Sequence, residues 1–146
     1  MSVTASTVTD DSGRVFRSVV YRRFSDLDPL GHVNNVVFYD YIQEARVHAL
    51  RELGWLPTKD FFHVVVRQGL SFRKPLTLSP EPVVVETSVV HVGASAYTFA
   101  YRILDEHGDL AADGDTVLAV VDITTGRAVR MPDELRSALL AVKIDG

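Results

Sequence analysis

Apolar residues recur three and four apart between residues 36 and 53. Phe38, Tyr41, Ile42, Ala45, Ala49 and Leu53 fall along one side of a helix. Val36, Val37 and Tyr39 widen that stripe at its start, which predicts that the first turns are buried on more than one side. Asn34 or Asn35 can cap the N-terminus, and Gly54, following Arg51, can close the C-terminus. Outside this segment the period drops to two. Residues 14–24 (RVFRSVVYRRF) are β-branched and aromatic enough for a first strand, although their alternation is imperfect. In residues 63–75, Val64, Val66, Leu70 and Phe72 alternate with Arg67, Ser71 and Arg73, the pattern of a half-buried strand. Residues 82–92 form a Val-rich run that suits burial on both faces. After a turn at Gly93-Ala94-Ser95, Tyr97, Phe99, Tyr101 and Ile103 alternate cleanly with Ala96, Thr98, Ala100 and Arg102. A second turn at Glu106-His107-Gly108-Asp109 leads into a strand over residues 110–122. Pro132 then opens a short helix reaching about Val142, with Asp133 and Glu134 complementing its dipole.

The order is strand, long helix, four strands joined by short turns, and a short final helix. Helices segregated from hairpin-connected strands predict an α+β domain with a mostly antiparallel sheet. The βαβ alternation of a dinucleotide-binding fold is absent. A chain of 146 residues supports one core, and no repeat, low-complexity block or Pro/Gly-rich linker divides it. Residues 14–146 therefore read as a single domain. Residues 1–13 (MSVTASTVTDDSG) are polar, with neither the basic nor the apolar region of a secretory signal, and read as a flexible tail.

Composition narrows the chemistry. With 15 basic and 19 acidic residues the formal net charge is −4, which lacks the footprint of a general nucleic-acid binder. No stretch approaches the roughly 18 uninterrupted apolar residues of a membrane span. The absence of cysteine excludes disulfides, Cys-ligated zinc, iron–sulfur clusters and thiol nucleophiles, and suits a reducing cytoplasm. Serine chemistry lacks its G-x-S-x-G elbow; Gly69-Leu70-Ser71-Phe72-Arg73 and Gly93-Ala94-Ser95-Ala96-Tyr97 are near misses. No Walker A or G-x-G-x-x-G loop is present, and the five histidines form no H-E-x-x-H. Asp26-x-Asp28 with Gly31 opens like a calcium loop, but Leu30 and Val37 occupy ligand positions, so no metal is expected.

What remains is a dense polar cluster, Asp26, Asp28, His32, Asn34 and Asn35, directly before the long helix. A helix N-terminus offers unpaired backbone N–H groups and partial positive charge, which can form an oxyanion site for a bound carbonyl. A nearby aspartate could attack that carbonyl or activate water against it. Pro29 biases Asp28 toward extended backbone and Gly31 permits a sharp reversal, so carboxylate and helix start can face one point. The residues alone are also compatible with an Asn-capped loop that has no catalytic role, since such caps are common.

The string RFSDLDPLGHVNNVVFYDYIQEAR resembles the signature of the hotdog-fold acyl-CoA thioesterases of the 4-hydroxybenzoyl-CoA thioesterase-like group. The likeness extends over nearly the whole chain, through GLSFRKPL, VGASAYTFAYRI and VDITTGRAVRMPDELR. The resemblance implies a hotdog fold, a curved antiparallel sheet wrapped around one long central helix. It implies hydrolysis of an acyl-CoA thioester to a free carboxylic acid and CoA without a cofactor. Asp28 matches the family's catalytic carboxylate, as base or nucleophile, and the Asn35 backbone N–H matches its oxyanion donor. Asp26 reads as structural, bonding loop amides. His32 and Asn34 are similar to the H-V-N-N of plant-type acyl-ACP thioesterases, although Leu30 stands where those enzymes carry an asparagine.

An acyl-CoA substrate brings several phosphates, for which Arg67, Arg73 and Lys74 are the candidate cations. Glu44 reads as a surface partner of His48 one turn on, and Asp113 and Asp115 as solvent-facing. The family further implies a homodimer or homotetramer with sites at the dimer interface. Two other hotdog functions stay open: a non-catalytic acyl-CoA binder or sensor, and an enoyl-CoA hydratase, of whose Asp-N-P-L-H motif Asp28-Pro29-Leu30-Gly31-His32 is a distorted echo.

Overall fold

The hairpin spacing becomes an antiparallel sheet of six strands in a computed structural model that describes residues 7–9, 12–55 and 61–145. The strands are β1 (Thr7–Thr9), β2 (Val15–Val20), β3 (Phe61–Phe72), β4 (Val83–Val92), β5 (Ala96–Leu104) and β6 (Leu110–Asp122). Their spatial order is β1-β2-β4-β5-β6-β3, so among the described residues β3 lies at one edge and pairs only with β6. The long helix α1 (Asn35–Glu52) and the short helix α2 (Asp133–Val142) complete the α+β architecture. Within the segment read as a tail, Thr7–Thr9 instead pair with β2, Thr7 opposite Ser18; residues 1–6, 10 and 11 lie outside the described residues. None of the described helices is long and apolar enough to cross a membrane.

The periodicities explain the packing. Phe38, Tyr41, Ile42, Ala45 and Ala49 on α1 are buried, as are Tyr97, Phe99, Tyr101 and Ile103 along β5. The rings of Tyr97 and Phe99 meet edge-on at 5.5 Å. Each large side chain of this kind contributes roughly 1.5–3 kcal/mol on burial. The helix begins one residue earlier than its apolar stripe, because the Asn34 side chain accepts the Val36 N–H and Asn35 joins the first turn. Gly54 ends it with φ +82°, a conformation a Cβ disfavours.

Three sequence readings need correction. The first strand stops at Val20 rather than Phe24. Beyond it Arg22 turns inward, donating to the carbonyls of Thr77 and Glu81 and pairing with Glu106, which draws the chain out of the sheet. The Val-rich run is buried on one face only: Val83, Val85 and Val89 are buried, while Val84 and Val90 are partly exposed. The opposite error concerns β3, whose alternation predicts half burial. Val64, Val65 and Val66 are 38%, 43% and 62% exposed, because an edge strand of a single chain has no neighbour beyond it.

Candidate active site

Asp28 sits in a loop closed on itself. Its N–H donates to the His32 carbonyl at 2.7 Å, and its carbonyl accepts from the Gly31 N–H at 3.0 Å. Gly31 makes the reversal with φ +79°. One carboxylate oxygen, Oδ1, accepts the backbone N–H groups of Leu30 (2.9 Å) and His32 (3.2 Å). The other, Oδ2, has no hydrogen-bond partner among the described residues. The loop is tied to the chain after β3 through the Val33 N–H, which donates to the Leu76 carbonyl at 2.7 Å.

Beneath the loop lies Asp26, 1% exposed. Its carboxylate accepts the Arg23 N–H and Nε–H and the Tyr41 hydroxyl at 2.8–2.9 Å. Burial and this carboxylate together hold the Tyr41 phenol protonated far above its ordinary range. Asp26 thus anchors the loop to the middle of α1, the structural role read for it from the sequence. Tyr41 had been legible only as a core residue, since the helical stripe says nothing of where its hydroxyl ends.

At the start of α1 the first amides have different fates. Val36 donates to Asn34 Oδ1 and Val37 to the Asn34 carbonyl, whereas the Asn35 N–H finds no acceptor among the described residues. Asn35 also lines a cleft of about 340 Å³, together with Asp28, His32, Phe38, Phe72, Arg73 and Lys74. Phe38 and Phe72 meet edge-on at 5.1 Å. The cleft therefore brings together a half-free carboxylate and a free amide donor at a positive helix end.

The other candidates are placed less uniformly. Asn34 spends its side chain on the helix cap and does not line the cleft. Arg67 lies farther along β3, outside the cleft lining. Arg73 Nε donates to Asp113 at 3.0 Å, so Asp113 is an ion-pair partner rather than merely solvent-facing. The Lys74 ammonium bridges Asp105 (2.6 Å) and Asp109 (2.9 Å), which raises its pKa. Among the described residues Glu44 and His48 form no ion pair with each other, and no three His, Cys, Asp or Glu side chains are placed to hold a metal.

Asp105 gives this region a pH dependence. Burial pushes its carboxyl up, but Lys74 and the N–H groups of Asp109 and His107 outweigh that and hold it at about 2, against an ordinary 3.8. A depressed native pKa means that the stabilisation is present above the unfolded value and lost as pH falls through the native one. Stability should therefore fall between about pH 4 and pH 2 more steeply in the wild type than in Asp105→Asn. Denaturant titrations across that window would show parallel pH curves if the pairing contributes nothing.

The sequence pattern of the Thioesterase-like superfamily matches residues 22–139. The chain belongs to this family. It is a thioester hydrolase with the hotdog fold. The long-chain acyl-CoA thioesterase FadM of Escherichia coli strain K12 is 27% identical over 116 residues, covering 77% of this chain and 88% of FadM. The uncharacterized protein YsmA of Bacillus subtilis strain 168 is 31% identical over 127 residues, 86% of this chain and 85% of YsmA. A thioesterase from Thermus thermophilus, solved with coenzyme A and zinc, is 34% identical with a TM-score of 0.76. That alignment covers 87% of this chain and 93% of the Thermus protein.

Proposed function

We propose that this thioesterase hydrolyses an acyl-CoA thioester to the free carboxylic acid and CoA, with Asp28 as the catalytic carboxylate. The observation that carries this reading is the cleft that Asp28 and Asn35 both line, with Asp28 Oδ2 and the Asn35 N–H lacking a partner among the described residues. The carbonyl oxygen of the thioester would accept the Asn35 N–H, in a bond that strengthens as negative charge develops on that oxygen. Asp28 would take a proton from the attacking water, or itself attack the carbonyl carbon, and the tetrahedral intermediate would expel CoA as thiolate. His32 lines the same cleft and its backbone holds the Asp28 loop. Arg73 and Lys74 on the cleft, with Arg67 along β3, are the cations available to CoA phosphates, and the FadM and Thermus likenesses support CoA as the carrier.

The working unit in this reading is a homodimer in the cytoplasm. The exposed Val64, Val65 and Val66 lie on a strand at the edge of the sheet among the described residues, and a second copy of β3 would cover them. A free-thiol release assay over short, long and aromatic acyl-CoAs, run on protein sized by light scattering, tests the reading. Turnover by a dimer is expected. Failure to cleave any thioester would overturn the reaction, and an active monomer would overturn the assembly.

A further inference from the structure

A second cavity, of about 220 Å³, lies between the later turns of α1 and the start of β3. Val47, Leu50, Trp55 and Leu118 wall it, and Gln43, Arg46 and His63 are its polar lining residues. Arg46 is 9% exposed. Of the five N–H donors of a guanidinium, one reaches the Tyr101 hydroxyl at a long 3.5 Å, and the others have no acceptor among the described residues. No carboxylate among the described residues pairs with it. His63 Nδ1 is hydrogen-bonded to the Tyr97 hydroxyl, and burial lowers its pKa, so the ring is neutral and Arg46 is the cavity's cation. The fully enclosed side-chain atoms without a partner among the described residues belong to Ser18, Arg22 and Thr87, so the unpaired Arg46 nitrogens remain reachable from the cavity and are available to a ligand there.

We propose that this cavity receives the far end of the acyl group and selects one that ends in a carboxylate. The proposal rests on the thioesterase reading above. A cavity of about 150 Å³ holds a benzene ring, so this one has room for a ring or a short chain segment together with the terminal group. A carboxylate fits a guanidinium in a two-bond fork and cancels its charge, which a methyl end does not.

The topology supplies the route. The start of α1 shares the catalytic cleft with Phe72 at the end of β3, while Arg46 and Leu50 share the second cavity with His63 near its beginning. Helix and strand therefore run in opposite directions. Along α1 the two positions are about 16 Å apart, at 1.5 Å per residue from Asn35 to Arg46. In a dimer paired antiparallel through β3, the beginning of one copy's strand lies beside the end of the other's. The Arg46 cavity of one protomer then adjoins the Asp28 cleft of its partner, and each reaction site draws its acyl pocket from both copies.

Trp55, the chain's single tryptophan, stands in the cavity wall and reports occupancy without any turnover. Titrating the dimer with amides that mimic the acyl part, suberic acid monoamide against octanamide and sebacic acid monoamide against decanamide, is expected to change Trp55 fluorescence. The carboxylate-ended member of each pair should bind about ten- to a hundredfold more tightly, the range for hydrogen bonds to charged groups. The kcat/KM ratio of suberoyl-CoA to octanoyl-CoA should favour suberoyl-CoA in the same sense. Arg46→Gln should bring both ratios to within about twofold, with Arg46→Lys between. Should Arg46→Gln fail to fold, the wild-type ligand pairs alone decide. Equal binding of the paired amides, tighter binding of the methyl-ended ones, or no response of Trp55 would overturn the proposal. A carboxylate preference in binding with no hydrolysis of any thioester would instead sink the proposed reaction and leave this site standing.

Discussion

Replacing Asp28 by Asn should lower kcat for thioester hydrolysis by about 10²- to 10⁴-fold, the range for loss of a positioned general base. In barrier height that is about 2.7–5.4 kcal/mol. The substitution is chosen because the amide keeps the carbonyl-type oxygen that accepts the Leu30 and His32 N–H groups. The loop, the helix start and the cleft should therefore survive with little change in KM or thermal stability. What is lost is the oxygen that has no protein partner, or rather its basicity. A burst of enzyme-bound acyl group in the wild type would mark the nucleophilic version of the mechanism. A variant with wild-type kcat would show that Asp28 is only a loop-closing residue, the capped-loop alternative that the sequence leaves open.

Gly114→Ala is expected to destabilise the fold by roughly 1–3 kcal/mol, toward the upper end of what overpacking costs. A Cβ at this position would stand 2.0 Å from the Gly69 carbonyl oxygen and 2.9 Å from the Leu70 Cα. Both are backbone atoms of β3, so no side-chain rotation relieves the clash. Relief requires β3, which among the described residues of the chain pairs with β6, to move outward and lengthen its ladder, in a dimer together with the partner strand. Phe72 and Arg73 would move with it, so KM for an acyl-CoA should rise along with the loss of stability. Gly69→Ala is the control: nothing lies within 4 Å of its added methyl, and its effect should stay within about 0.5 kcal/mol. Urea midpoints for the two variants would coincide if strand contact at Gly114 were not limiting.

The element order was legible because each element carries its own period. The stripe of Phe38, Tyr41, Ile42, Ala45 and Ala49 and the alternation of Tyr97, Phe99, Tyr101 and Ile103 record which side faces the core, and both sets are buried. The misjudged elements are those whose environment is set from a distance. The first strand ends early because Arg22 reaches carbonyls more than fifty residues away. The valines of β3 alternate for a face that the single chain leaves uncovered.

The candidate site divides in the same way. Asp28, Pro29, Gly31 and Asn34 lie within seven residues, and local backbone chemistry is enough to suggest a carboxylate beside a capped helix start. Arg73 and Lys74 read from the sequence only as candidate cations on a strand; that they line the Asp28 cleft and pair with Asp113, Asp105 and Asp109 depends on strand register. The Arg46 cavity had no local signal, since an arginine in a helical stripe looks like any surface cation until its neighbours are known.

By itself, then, the sequence determined the α+β class, the succession of elements from residue 14 onward and the loop in which Asp28 and Asn35 are neighbours. These follow from interactions spanning a few residues, where periodicity and turn chemistry act directly. Only the tertiary structure decided that β3 is an edge, that Asp26 is buried under Tyr41, and that Arg46 is enclosed without a charged partner among the described residues. Those facts depend on which distant strands and side chains come together, and a residue's burial and charge balance belong to that assembled environment rather than to its position in the chain.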